Sequence, residues 1–123
     1  MLLKLSNGQI LQVYDSDNEA YGEGCDSVEG YCLFNEDGSY ADGGEFDFNS
    51  NEITTNEELY NKLIETMIDP NLTYERVANT SDCQYEDFEE LLVEEFDEDM
   101  LDYIASYFPN EKILKIISNI KGE

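Results

Sequence analysis

Residues 31–48, with the sequence YCLFNEDGSYADGGEFDF, have the pattern of a β-hairpin. The run Tyr31–Phe34 has high strand propensity, and the polar residues 35–38 that follow end in glycine, as tight turns often do. The chain then returns towards Phe48 through a Gly43-Gly44 pair. This pair predicts a bulge or a sharp bend, because glycine weakens a regular strand.

The side chains of the returning strand separate by chemistry. Strand side chains alternate between two faces, so Phe46 and Phe48 are expected to share one face. The opposite face then carries Glu45, Asp47 and Asn49. The pattern predicts a strand with one packed face and one acidic face.

A shorter hairpin is predicted at the N-terminus. Strands over residues 2–5 and 9–14 flank the sequence Ser6-Asn7-Gly8, and Asn-Gly supplies the positive φ angles that a tight turn needs. The residues expected on its inward face are Leu3, Leu5 and Ile10, with Leu11 and Val13 left open. The stretch 15–28 is rich in Gly, Asp and Glu and has no periodicity, which predicts a loop.

The second half of the chain has helical periodicity. Thr55 and Glu58 have the spacing of a capping box at a helix start, and Pro70 predicts the end of that helix. Between them, apolar residues recur at intervals that place them on one helix face: Leu59, Leu63, Ile64, Met67 and Ile68. A further short helix is predicted over residues 72–78.

A longer helical pattern covers residues 85–108, and Asp97 is expected to interrupt it and to cap a second segment. The apolar residues of this pattern are Phe88, Leu91, Leu92, Phe96, Met100, Ile104 and Tyr107. Pro109 is expected in the first turn of a last amphipathic helix. The apolar residues of that helix are Ile113, Leu114, Ile116, Ile117 and Ile120.

These patterns predict an α+β fold, in which N-terminal antiparallel β-hairpins precede a C-terminal group of three to four helices. We expect one domain over residues 1–123, with β-hairpins and an acidic loop mainly in residues 1–53 and helices mainly in residues 54–123. Hydrophobic residues make up 41 % of the chain, with 9 Tyr and 6 Phe, which is enough for one modest core.

The chain is far more acidic than solubility requires. It has 30 Asp plus Glu, 6 Lys plus Arg and no His, for a formal net charge of −24 in 123 residues. A net charge of magnitude about 2 to 8 is enough to keep a small domain soluble. Because self-repulsion opposes the compact state, we interpret the excess charge as functional.

The acidic residues lie in two windows that contain no Lys or Arg. Residues 15–52 hold 12 of them and residues 82–102 hold 11. Like charges three and four residues apart on a helix repel by roughly 0.2 to 0.5 kcal/mol per pair. Nothing in the sequence offsets this repulsion, which favours a basic partner over a face that is merely solvated.

The sequence offers little for catalysis or for a cofactor. There is no His to act as a general base near neutrality, and there is no phosphate-binding or nucleophile motif. The three cysteines, Cys25, Cys32 and Cys83, lack the spacing of a zinc site. Cys32 is expected to be a small buried hydrophobic residue. We therefore expect neither enzymatic activity nor a cofactor.

A calcium-binding regulatory module is the alternative for the first window. The carboxylates at positions one, three, five, nine and twelve of an EF-hand loop would be Asp15, Asp17, Glu19, Glu23 and Asp26. The sixth position, however, is Ala20 where the motif requires glycine, and the twelfth is Asp where the motif has a bidentate Glu.

The N-terminus lacks the apolar stretch of a signal peptide, and no apolar run approaches the roughly 20 residues of a membrane span. The odd number of cysteines excludes a complete set of disulfides. We expect a cytoplasmic protein that binds neither membranes nor nucleic acid directly.

In these features the chain resembles the small acidic inhibitors made by phages and mobile elements, namely the anti-CRISPR and anti-restriction DNA mimics. The resemblance rests on size, on charge and on the two acidic windows, Asp15–Glu52 and Asp82–Asp102. It implies an inhibitor that blocks the DNA-binding site of a basic nuclease. A CRISPR effector nuclease is the expected target, because arginines that read a PAM are natural counterparts of clustered carboxylates. A restriction enzyme and an uncommitted acidic interaction domain are the alternatives.

Two groups of residues are predicted to bind the partner. Those on the second hairpin are Asp37, Asp42, Glu45 and Asp47. Those on the helices are Glu86, Glu89, Glu90, Glu94, Glu95, Asp97, Glu98, Asp99 and Asp102. Whether the two groups form one surface depends on how the helices pack against the hairpins.

Overall fold

The computed structural model describes residues 1–15, 27–48, 52–53, 55–81 and 83–122, and it confirms the α+β class. Five antiparallel strands form one sheet in the order β4-β3-β2-β1-β5, and four described helices pack against it. The strands are β1 (Leu2–Leu5), β2 (Ile10–Asp15), β3 (Ser27–Phe34), β4 (Tyr40–Phe48) and β5 (Tyr74–Ala78). The helices are α1 (Asn56–Met67), α2 (Phe88–Glu95), α3 (Glu98–Tyr107) and α4 (Glu111–Ile120).

Both faces of the sheet are covered by helices. Leu2 and Ile10 belong to a core that includes buried residues of α2, α3 and α4, whereas Leu3 and Leu11 belong to a separate core with α1. The prediction that Ile10 shares a face with Leu3 was therefore wrong. The cause is the register, which pairs Ile10 with Lys4 and Leu11 with Leu3.

The two hairpins form as predicted, and the glycine in each turn adopts a positive φ, 93° at Gly8 and 88° at Gly38. The bulge expected at the Gly43-Gly44 pair lies instead at Ala41, because Leu33 pairs with Asp42 and Phe34 with Tyr40. Gly43 is required for another reason. A Cβ atom there would lie 2.4 Å from the Tyr40 hydroxyl oxygen, so a larger residue would displace the tyrosine.

Residues 74–78 form a strand, which corrects the prediction of a short helix over residues 72–78. β5 pairs antiparallel with β1 and contributes to both cores, with Tyr74 on the α1 side and Val77 on the other. β1 is buried on both faces, so its second edge needs a partner to satisfy the backbone hydrogen bonds there. This long-range pairing decides the conformation of β5.

Acidic and polar side chains cap the helices. Thr55 caps α1 by accepting from the backbone N–H of Glu58, and Asp97 caps α3 by accepting from that of Met100 at 2.9 Å, as predicted. α2 begins at Phe88 behind Asp87, not at Tyr85. Pro109 precedes the cap residue Asn110 and so lies just outside α4, not in its first turn.

β2 ends at Asp15 and β3 starts at Ser27, so both ends of the loop predicted over residues 15–28 belong to strands, and residues 16–26 lie outside the described part of the chain. None of the four described helices has both the length and the apolar character needed to cross a bilayer.

Candidate partner-binding surface

The edge strand β4 carries exposed carboxylates on both of its faces. Among the described residues, β4 pairs only with β3. Glu45 lies opposite Gly30, on the face that holds α2 to α4, and Asp42 lies opposite Leu33, on the α1 face. The side chains of Asp42, Glu45 and Asp47 are exposed, as is that of Tyr40, so this edge presents three carboxylates beside one aromatic ring.

Tyrosine hydroxyls mark the place where the two acidic windows meet. The ring of Tyr14 lies over Gly30, where a Cβ atom would come within 2.2 Å of it. Burial raises the pKa of Tyr14 to about 12, and the Cys32 thiol and the Glu45 carboxylate contribute to the rise. Burial also raises the pKa of Tyr40, and here the carboxylates of Glu86 and Asp42 both contribute. Because Glu86 and Asp42 come from different windows, the start of the acidic helical segment lies beside β4.

Helix α2 connects this edge of the sheet with the opposite edge. Phe88, its first residue, packs on Phe34 with ring centroids 5.3 Å apart, near the β3–β4 turn. Glu95, its last residue, accepts hydrogen bonds of 2.6 Å from the hydroxyls of Ser81 and Tyr85, just beyond β5. The helix therefore crosses the sheet from the β4 side to the β5 side, where α3 begins.

The outward side chains along this path form what we call the acidic band. Its members are Glu45, Asp47, Glu86, Glu89, Glu90, Glu94, Glu98 and Asp99, all exposed. None of them takes part in the salt bridges found among the described residues, which join Arg76 to Glu57, Lys112 to Asp37 and Lys121 to Asp102. The band combines both predicted groups and contains no basic side chain.

Four other predicted partner-binding residues have internal contacts. Asp37 accepts from the Ser39 hydroxyl at 2.6 Å, and this hydrogen bond lowers its pKa with help from the Ser39 amide and Lys112. Asp102 is 2.7 Å from the Nζ atom of Lys121. The other two are Asp97, the cap of α3, and Glu95, which is tied to Ser81 and Tyr85. These contacts reduce what the four residues offer to a partner.

Four of the five residues predicted for the alternative calcium loop lie outside the described part of the chain. Asp15 ends β2, whereas Asp17, Glu19, Glu23 and Asp26 lie outside the described residues. Within the described ranges, no group of three or more Cys, Asp or Glu side chains is placed to hold a metal ion.

Of the cysteines, Cys32 is buried as predicted, and burial raises the pKa of its thiol. Cys83 is exposed.

Sequence reasoning missed the tyrosines of this surface. No role was predicted for Tyr14 or Tyr40, although the Tyr14 ring lies over Gly30 and the Tyr40 hydroxyl lies over Gly43. The signal was present as glycine in two strands, since a strand glycine often marks a close approach of another group.

No family model, no curated protein and no solved structure matches this chain.

Proposed function

We propose that the protein is an inhibitor that presents the acidic band to the nucleic-acid-binding surface of a basic protein. The observation that carries the proposal is the continuity of the band. Glu86 lies close enough to Tyr40 of β4 to contribute to the rise of its pKa, and α2 carries further acidic side chains from there towards the β5 side of the sheet. A charge run that was merely solvated would not need to join a strand edge to two helices.

The number of charges on the band is of the same order as on a DNA segment as long as the sheet is wide. Five strands spaced about 4.8 Å apart make the sheet about 19 Å wide, and over that length a duplex carries about 11 phosphates at one per roughly 1.7 Å. The band carries eight exposed carboxylates, on β4, in the segment before α2, on α2 and at the start of α3. A protein surface that matches the phosphates with Lys and Arg would therefore meet a similar number of charges.

The target class follows from this chemistry. Arginine pairs carboxylates and phosphates in the same bidentate geometry, so an arginine-rich DNA site is the natural complement of the band. A CRISPR effector nuclease is our first candidate, and a restriction enzyme is the second. The action is binding in the cytoplasm, without catalysis and without a cofactor.

The test compares two variants with equal charge change. Glu90, Glu94 and Glu98→Lys alters the band, whereas Glu58, Glu65 and Glu111→Lys alters exposed residues of α1 and α4. Each variant has a formal net charge of −18 instead of −24, because three carboxylates become three ammonium groups. Immobilised protein is challenged with a bacterial lysate and eluted with a salt gradient, with duplex DNA as competitor.

We expect the unaltered protein to retain a nuclease that duplex DNA displaces. The band variant should lose at least about tenfold in affinity for it, because reversed charges meet a basic site. The control variant should retain the nuclease. Equal losses in both variants, or a diffuse set of basic proteins that elutes at low salt, would show that the charge acts without specificity.

A further inference from the structure

A second surface lies at the far end of the acidic band, in a groove between the end of β5, the end of α2 and the start of α3. The groove has a volume of about 540 Å³, within the range of ligand sites. Its lining residues are Val77, Ala78, Asn79, Glu95, Phe96, Met100 and Tyr103. Most of them are apolar, in contrast with the charged surface around them.

The floor of the groove is fixed by the core. Val77 and Phe96 are 5 % and 8 % exposed and belong to the core between the sheet and helices α2 to α4. The segment after β5 is held against α2, because Glu95 accepts hydrogen bonds from the backbone N–H and the hydroxyl of Ser81. A ligand would therefore meet a largely pre-formed surface, which lowers the entropy cost of binding.

The wall formed by α3 exposes an aromatic ring. Tyr103 is 43 % exposed, and Met100, three residues before it, is half-buried on the same side of the helix. Tyr103 donates a hydrogen bond of 3.3 Å to Tyr107, and the two rings meet edge to face at 5.1 Å. These contacts hold the Tyr103 ring at the groove, where tyrosine is a frequent anchor of protein interfaces.

The rim of the groove is acidic. Asp99 lies one helical turn before Tyr103 and is exposed. Glu95 lines the groove itself, and its lining residues include no Lys or Arg. The nearest basic residue of β5, Arg76, is on the opposite face of the strand, where it pairs with Glu57 and lies over the Tyr60 ring. The charge of the groove therefore selects a basic occupant.

We propose that this groove binds an extended, arginine-containing segment of a basic protein. Apolar side chains and the aliphatic part of arginine would pack on Phe96 and Met100, and the guanidinium would stack on the Tyr103 ring beside the Asp99 carboxylate. Arginine fits better than lysine because its planar group both stacks on an aromatic ring and pairs with a carboxylate.

Two other modes of occupation are less favourable. A second copy of the chain would bring a formal charge of −24 to an acidic rim. Addition of a strand to the edge of β5 is opposed by the bulge at Val77, since bulged short strands are poor templates for pairing. The occupant is therefore recognised through its side chains. The inference does not depend on nucleic-acid mimicry, because any basic protein with such a segment would satisfy it.

The test uses three labelled synthetic peptides, Gly-Leu-Arg-Leu-Arg-Leu-Gly and its versions with lysine or glutamate in place of arginine. Binding to the full chain is measured by fluorescence anisotropy and mapped from amide shifts of ¹⁵N-labelled protein. We expect the arginine peptide to bind with one-to-one stoichiometry and to shift amides of residues 77–79 and 100–103. The lysine peptide should bind several-fold more weakly, and the glutamate peptide should not bind.

Variants of groove residues distinguish binding in the groove from general electrostatic attraction. Tyr103→Ala should weaken the arginine peptide by roughly tenfold or more, as expected for an aromatic anchor, and Tyr103→Phe should retain most of the affinity. Met100→Ala should weaken binding, whereas its control, Met67→Ala on α1, should not. The melting temperature of each variant is measured to confirm that it folds; Tyr103 and Met67 lie largely outside the core, whereas Met100 packs against it.

The proposal is overturned if the shifts follow the acidic band with no preference for the groove, or if Tyr103→Ala binds as the unaltered protein does. Concentration-dependent shifts at residues 77–79 without peptide would identify a second copy as the occupant and would also overturn it. The Glu90, Glu94 and Glu98→Lys variant, which addresses the proposed inhibitor function, should lose its nuclease whatever the result with Tyr103.

Discussion

The two edge strands of the sheet, β4 and β5, differ in the features that oppose uncontrolled pairing with another strand. β4 has nine residues and, beyond the bulge at Ala41, pairs regularly with β3 from Asp42 to Phe48, where it carries exposed charge on both faces. β5 has five residues and a bulge at Val77, and one of its faces is covered in part by α3. Charged side chains and bulges both prevent uncontrolled edge pairing. One edge is therefore free to be strongly acidic, and the other can form an apolar groove.

The two ends of α2 also differ in their surroundings. Near β4 the helix begins on an aromatic cluster, in which Phe88 packs on Phe34 and meets Phe108 at 6.4 Å. Near β5 the helix ends at the groove. There, one side of Phe96 packs in the core and the other side borders the groove. A partner that contacted the whole band would meet charge first and an apolar anchor site second.

The largest effect is expected from truncation of the two phenylalanines at the ends of α2. Phe88→Ala should lower the free energy of unfolding by about 3 to 5 kcal/mol, because it removes a side chain that is 1 % exposed and leaves a closed cavity. Phe96→Ala should cost about 3 kcal/mol or less, because the open groove lets water and neighbouring side chains fill the space. Urea unfolding followed by circular dichroism measures both.

An equal or larger loss for Phe96→Ala would contradict the comparison, since it would show that the β5 end of α2 is as closely packed as the β4 end. Conservative Phe→Leu substitutions at both positions provide the control for volume. They should reduce both losses and preserve their order.

A smaller effect is expected from the two neighbouring glycines of β4. Gly43→Ala places a Cβ atom 2.4 Å from the Tyr40 hydroxyl oxygen and 3.2 Å from the Tyr31 carbonyl oxygen. It should lower the free energy of unfolding by about 1 to 3 kcal/mol, as overpacking does. Gly44→Ala meets its nearest atom, the Tyr31 hydroxyl oxygen, at 3.4 Å and has no positive φ. It should be neutral or stabilise by up to about 1 kcal/mol, because alanine loses less chain entropy than glycine.

Thermal unfolding of both variants measures the difference in stability. Because the same substitution is made at adjacent positions, any general effect of alanine in a strand cancels. If Gly43→Ala were as stable as Gly44→Ala, Tyr40 would not be held over the strand. The result would then contradict the close approach of the Tyr40 hydroxyl to Gly43.

The sequence predicted the local features of the fold because each depends on a few neighbouring residues. Asn7-Gly8 and Asp37-Gly38 define turns through glycine conformations, and Thr55 and Asp97 define helix starts through hydrogen bonds within three residues. β5 could not be predicted in this way. Its partner β1 is about 70 residues away in the chain, and its own alternation is short, so long-range pairing overrides the local pattern.

The candidate site shows the same division. The acidic windows were evident from counting, because charge is a property of residue type. Their junction beside Tyr40 was not, since it depends on the path of α2 across the sheet. One clue to a sheet covered on both faces was present in Leu2-Leu3-Lys4-Leu5, where consecutive apolar residues contradict a strand with one solvent face.

The smallest effect concerns the carboxylate that closes the β5 end of α2. Burial by itself raises the pKa of Glu95, but hydrogen bonds from the side chains of Ser81 and Tyr85 and from the Ser81 amide outweigh burial and hold its pKa below the ordinary value of 4.5. A lowered pKa in the folded state means that the unfolded state binds the proton more readily. The stabilisation by Glu95 is therefore complete above about pH 4.5 and is lost as the pH falls through the folded-state pKa.

We expect the stability difference between the unaltered protein and Glu95→Gln to shrink as the pH is lowered from about 6 to about 3, because the glutamine variant lacks this titration. Ser81→Ala, which removes one of the donors, should give an intermediate result. The difference between proteins is the quantity to measure, by urea unfolding at each pH. Protonation of the acidic band relieves repulsion in all three proteins, so total stability can rise over the same range in which the contribution of Glu95 falls. A difference that stayed constant with pH would show that Glu95 does not hold the end of α2 as an anion.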